Sequence, residues 1–223
     1  MNDQTTFLFA DTGDWGLTYD DGPSSFHGID DSTVLVAALK EQGIKCTHFR
    51  VGVNALAESG QKVLKAAFDE GHEVANHTWT HHPLTTMTNV EIVAQIKYTE
   101  AMIYKVTGAV PTLIRPPYGD VDDRVRAIMS ALGYRNVMWT TDPMRDTRDW
   151  AATDGNLQDE VVTKTVKEYF PEQRGFISLQ HDAFAYEVQI ATRIIARMKT
   201  GELEMKPKPV GQCTGIPPYR DLS

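Results

Sequence analysis

Asp20 and Asp21 are adjacent carboxylates that follow the short run Trp15-Gly16-Leu17-Thr18-Tyr19 and stop at Gly22-Pro23. The run reads as a strand, and Gly-Pro as the turn that ends it. Neighbouring acids repel, so a cation or a raised pKa is needed to hold them together. Taken alone, the pair reads equally well as a solvated turn. His77 and His81 form a second constellation, four residues apart, directly after the strand-like His72-Glu73-Val74-Ala75-Asn76. That spacing turns both rings toward one cation, although core or surface histidines show it too. Arg115-Pro116-Pro117-Tyr118 and His181 also stand directly after strand-like stretches. One Asp and two His suffice for a divalent-metal site that keeps a position open for water or substrate. An ion there lowers the pKa of water to about 7 and polarises a carbonyl. The second Asp is then available to take a proton.

The elements that must position these groups alternate between strand and helix. Asp30-Asp31-Ser32 is a helix cap ahead of Val34, Leu35, Ala38 and Leu39. Residues 45–51 read as a strand, followed by a short helix over 61–70 and the strand at 72–76. Thr88-Asn89-Val90-Glu91 is a capping box that opens a long helix, and Gly108 closes it. The strand Thr112-Leu113-Ile114 leads into Arg115. Asp120 is the expected cap of the next helix. Strands over 136–139 and 175–180 enclose a polar loop and a helix, and a last helix covers 183–199. The tail beyond residue 202 holds four prolines and is expected to wrap the surface. Alternating elements imply a mainly parallel sheet with helices outside it. Six or seven strands suit a small or incomplete β/α barrel, with an open doubly wound sheet as the alternative. In a barrel, every position just after a strand gathers at one face.

Composition narrows the partners. The 223 residues are 41% hydrophobic and 23% charged, as in soluble globular domains, and no composition break divides the chain. The formal net charge of -8 argues against nucleic acid or an anionic membrane surface. No apolar run approaches the roughly 18 residues of a membrane span. Met1 to Phe7 do not read as a signal peptide, so the chain is expected to be cytosolic or a mature form. The two cysteines, Cys46 and Cys213, read either as buried thiols or as one bridge. His48 and His72 read as packing residues.

Together the motifs resemble the carbohydrate esterase family four polysaccharide deacetylases, and within them the fungal chitin deacetylases. Thr18 to Pro23 resembles the family's first motif, with Tyr19 where Phe is usual. His77 to His81 resembles the second, Arg115 to Tyr118 the third, and Leu179-Gln180-His181 the fifth. The fourth departs: Trp139-x-x-Asp142 fits its first half, but Asp149-Trp150 follows as though four residues were inserted. The resemblance implies a single-domain distorted (β/α)7 barrel over 1–223. It implies Asp20 as general base, Arg115 as its ion-pair partner, and Asp21, His77 and His81 as metal ligands. His181 would be the general acid, partnered by Asp149 in preference to Asp142 and then Asp146. Tyr118 N–H would bind the oxyanion, Leu179 and Trp150 would form the acetyl pocket, and Trp79, Tyr118 and Trp139 would stack on sugars. It implies a Cys46–Cys213 disulfide, a secreted protein and zinc, with cobalt as the second choice. The expected reaction is removal of N-acetyl groups from chitin or chitooligosaccharides by a monomer. Acetylxylan or peptidoglycan deacetylation and non-catalytic carbohydrate binding are the alternatives.

Overall fold

The computed structural model describes residues 13–24, 31–198, 201 and 203–222. The first residues of the chain, and Asp30 with its expected capping role, lie outside them. The run from Trp15 does not form one straight strand. It divides at Leu17 into β1 (Asp14–Gly16) and β2 (Thr18–Asp20). β1 pairs in parallel with β7 (Phe176–Ile177) and with β8 (Lys206–Lys208). β2 opens a second parallel sheet, continued by β3 (Thr47–Arg50), β4 (Glu73–Asn76), β5 (Leu113–Ile114) and β6 (Arg135–Asn136). Leu17 belongs to both sheets: its N–H donates to Lys208 O and its carbonyl accepts from Thr47 N–H, each at 3.0 Å. Between β6 and β7 no ladder forms, but Thr140 N–H donates to Ile177 O at 3.0 Å. The result is a distorted parallel barrel of seven strands, β1 and β2 counting as two halves of one.

Helices α1 (Asp31–Glu41), α2 (Glu58–Asp69), α3 (Asn89–Thr107), α4 (Asp123–Ala131), α5 (Gly155–Tyr169) and α6 (Ala185–Arg197) cover the strands. The Thr88–Glu91 capping box starts α3, and Gly108 ends it at φ 74°, a left-handed position that costs glycine little. α4 begins later than expected. Its cap is Asp122, which accepts from Val125 N–H at 2.8 Å. Asp120 instead accepts from Thr85, because a 3₁₀ turn at Pro117–Gly119 occupies the chain first. The main core lies under α1, α5 and α6 around Trp15, which is fully buried and donates from its indole to Ser178 Oγ at 2.8 Å. A side chain of that size, fully buried, contributes on the order of 1.5–3 kcal/mol or more.

The tail follows the expected course across the barrel. After β8 it forms the short α7 (Val210–Thr214) and runs past the starts of β4 and β5. Val74 N–H donates to Tyr219 Oη at 2.9 Å, and Thr112 N–H to Pro218 O at 2.9 Å. This is the end of the barrel opposite the carboxyl ends of the strands. The expected Cys46–Cys213 disulfide is not formed, and both thiols are free. Cys46 lies in the buried layer outside β3, with its sulfur 3.3 Å from rings of His48 and His72. Cys213 lies on α7, its sulfur near Lys208 O at 4.0 Å. Among the described residues, no helix is long and apolar enough to cross a membrane.

Candidate active site

Each strand releases its chemistry-bearing side chain at one face. Asp20 ends β2 and Asp21 follows it. His77 follows β4 and Arg115 follows β5. An isolated parallel bridge between Asp20 and His181 brings the last of them to the same rim. Asp20, Asp21, His77, His81 and His181, together with Pro116, Tyr118, Trp139, Asp146, Trp150 and Leu179, enclose a cavity of about 380 Å³, and Arg115 lies buried behind Asp20.

His77 Nδ1–H donates to Arg115 O at 2.7 Å, which leaves the Nε2 lone pair facing inward. That Nε2 stands 3.1 Å from Asp21 Oδ1, and His81 Nε2 stands 3.1 Å from the same oxygen. Asp21 Oδ1 is buried and finds no hydrogen bond among the described residues. Burial works against a charged His77, but Asp20 and Asp21 beside it raise its pKa, so the site favours positive charge between these atoms, which a ring proton or a bound cation can supply. The donor set therefore fits a divalent metal ion.

Asp20 lies deeper and is almost fully buried. Arg115 Nη1 donates to its Oδ1 at 2.7 Å and to Thr18 Oγ1 at 2.8 Å, while Arg115 Nε donates to Val137 O. The guanidinium also lies over the Phe49 ring at 4.3 Å. Burial raises the Asp20 pKa, and Arg115 opposes that rise without cancelling it. Across the cavity, Asp149 grips His181 twice. Its Oδ2 accepts the His181 backbone N–H and its Oδ1 the Nδ1–H, both at 2.8 Å. Burial works against the imidazolium, but the Asp149 carboxylate outweighs it and pushes His181 up to about 10. Asp142 is exposed, and Asp146 lines the cavity but accepts from Arg148 N–H instead.

Backbone strain is concentrated here. Asp21, Thr78, His81, Tyr118 and Arg148 are the non-glycine residues with positive φ among the described residues, between 57° and 75°. Each belongs to the site or is the chain neighbour of one of its residues, and such conformations cost about 1–3 kcal/mol apiece unless the surroundings hold them. Trp79 does not reach the cavity. Its ring packs on the cluster of Ala55, Leu64, Val74, Met102 and Ile103 and meets Tyr98 at 5.9 Å. Its expected substrate role is therefore withdrawn, because the left-handed turn at Thr78 carries it toward α3. Glu187 was not singled out in the sequence. Its Oε2 accepts from Ala183 and Phe184 N–H and holds the chain just after His181. The spacing of Glu187 three residues after Phe184, at the start of α6, is the signal that marks it.

A family model described as polysaccharide deacetylase matches residues 10–137, more than half of the chain. The chain belongs to the polysaccharide deacetylase family. Over 212 residues it is 38% identical to chitin deacetylase 1 of Cryptococcus neoformans var. grubii, a match covering 90% of this chain and 44% of that protein. It thus spans less than half the length of that relative. The chitin deacetylase of the fungal pathogen Colletotrichum lindemuthianum superposes with a TM-score of 0.83 at 25% identity, covering 94% of this chain and 92% of that one. The Bc1960 peptidoglycan N-acetylglucosamine deacetylase superposes with a TM-score of 0.78 at 26% identity, covering 94% and 91%. This polysaccharide deacetylase domain has the parallel α/β barrel of those structures.

Proposed function

We propose that residues 1–223 form one catalytic domain that removes N-acetyl groups from β-linked N-acetylglucosamine chains, chitin or chitooligosaccharides. The observation that carries this reading is the convergence of ligand atoms of Asp21, His77 and His81 beside a buried Asp20 and opposite His181. The fungal relatives named above favour chitin as the substrate. Asp21, His77 and His81 would hold the metal ion, zinc in preference to cobalt. When bound, it supplies Lewis-acid activation of water and of the acetamide carbonyl.

The chain's own groups divide the remaining work. Asp20, with a pKa raised by burial and its orientation fixed by Arg115, takes a proton from the attacking water. The backbone N–H of Tyr118, presented by a left-handed turn, donates to the oxygen that gains charge at the former carbonyl. His181, kept protonated by Asp149, delivers a proton to the departing nitrogen. The C–N bond breaks, and acetate and a glucosamine unit leave. Leu179 and Trp150 line the pocket for the acetyl methyl, while Tyr118 and Trp139 offer faces for the sugar ring. One chain supplies every site residue, which supports a monomer. A polymeric chitin substrate supports an extracellular location, an inference that no longer draws on a disulfide.

Acetate release from chitooligosaccharides, acetylated xylan and peptidoglycan tests the proposal, with chelated and metal-reloaded protein side by side. Metal-dependent release from chitooligosaccharides is expected. Release from peptidoglycan alone would move the reading to the second superposing structure's substrate. Chitin binding without acetate release in added zinc or cobalt would make this a binding protein.

A further inference from the structure

The rim of the catalytic cavity carries aromatic surface that the reaction above does not use. Phe184, three residues beyond His181, is 46% exposed, and Trp150, which lines the cavity, is 47% exposed. Tyr186 joins the two. Its ring stacks on Phe184 with centroids 5.6 Å apart and planes 6° from parallel, and its Oη–H donates to Trp150 O at 3.1 Å. Half-exposed aromatic side chains are ordinary one at a time, but several joined together beside a cavity mark a contact surface.

Helix stability does not account for Phe184. It occupies the N-cap of α6, where Ser, Thr, Asp or Asn would accept a backbone N–H, and its ring makes no such bond. Glu187 takes over that task. Its buried carboxylate accepts from Ala183 and Phe184 N–H, both at 2.9 Å. The backbone of Phe184 is thus held by Glu187 and its ring by Tyr186, which lowers the entropy cost of any contact made on the exposed face.

A sugar chain fits this surface by its chemistry. Each ring of a β-linked N-acetylglucosamine chain carries its hydroxyls at the edge and C–H bonds on both faces, so a face packs on an aromatic ring while the edge stays in water. A polymer is longer than a cavity of about 380 Å³ and must leave it across the rim. We propose that Phe184, stacked on Tyr186, forms a subsite for a sugar ring beside the one being deacetylated, on the His181 side of the cavity. The subsite rests on the function proposed above, and it sets a preference for oligomers over a single sugar.

Chitotetraose is the probe, measured in two ways on the full chain. Calorimetry on metal-free protein gives Kd, and acetate release by metal-loaded protein gives KM and kcat. Phe184→Ala is expected to raise Kd and KM about 5–10-fold, with the loss in KM rather than kcat. Phe184→Trp is expected to restore both, since it returns an aromatic face, whereas Phe184→Leu, equally apolar, is not. Kd and KM equal to wild type in Phe184→Ala would overturn the subsite, and a shift in its sedimentation would then make the surface a contact between copies of the chain. Recovery by Phe184→Leu as full as that by Phe184→Trp would overturn it as well. A wild type that binds chitotetraose but releases no acetate would overturn the function proposed above, and the Kd values would still decide the subsite.

Discussion

Asp149 holds His181 through two hydrogen bonds of 2.8 Å, one to the backbone and one to the ring. The ring bond fixes the tautomer, and the charge keeps the imidazole protonated through neutrality. Asp149→Asn removes the charge and keeps the shape. The alkaline limb of kcat/KM should then move to lower pH by about 1–3 units, with loss of rate at neutral pH. An unmoved limb would detach Asp149 from the proton donor. The same pair has a stability signature. Because the folded pKa, about 10, lies above the unfolded value near 6.5, the pair stabilises fully below that lower value. Its contribution fades as pH rises toward 10, and Asp149→Asn should lack that dependence. At this scale the sequence was informative at the carboxyl end of a strand, where Asp20 ends β2 and Asp21, His77 and Arg115 directly follow β2, β4 and β5. Asp149 and Asp146 share one loop and one charge, and only the folded path of that loop separates them. Trp79 was misplaced because nothing in its neighbours' types announces a left-handed Thr78.

Among the elements, the first site turn is locked to the last by a fully buried ion pair. Arg50, at the end of β3, reaches Asp182 at 2.6 Å, and Asp182 also accepts from Gly22 N–H at 3.2 Å. Only glycine fits at 22, since a Cβ there would come 1.9 Å from Arg50 Nη1. Both charges have zero exposure, so removing one strands the other. Arg50→Met should cost about 3–5 kcal/mol in urea unfolding. Adding Asp182→Asn, which keeps an acceptor for Gly22, should recover more than half of the loss. A single-variant cost below about 1 kcal/mol would contradict a locking role. The capping box, the glycine at Gly108 and most strand positions were legible because they are local. The break at Leu17 was not, because its N–H and its carbonyl are taken by strands of two different sheets, through Lys208 and Thr47. Those partners lie far away in sequence.

At the scale of the molecule, the alternation of elements was sufficient to anticipate a parallel barrel, and the prolines of the tail a wrapping segment. The free cysteines were beyond it, since two thiols in a sequence carry no distance. The proposed metal ligands come from the ends of two different strands, so an ion held by them would brace the rim. At a metal concentration 100 times its Kd this contributes about 2.7 kcal/mol. For a chain of this size that raises Tm by about 5–11 °C over chelated protein. Asp21→Asn should abolish the rise, and a full rise in that variant would place the ion elsewhere. The central claim is that Asp21 serves the ion while Asp20 serves the proton. The most direct test is acetate release from chitooligosaccharides by metal-loaded Asp20→Asn, measured beside its metal-induced rise in Tm. The division of labour predicts a preserved rise in Tm with turnover reduced by about 10²–10⁴-fold. A preserved rise with turnover within a few-fold of wild type would contradict it.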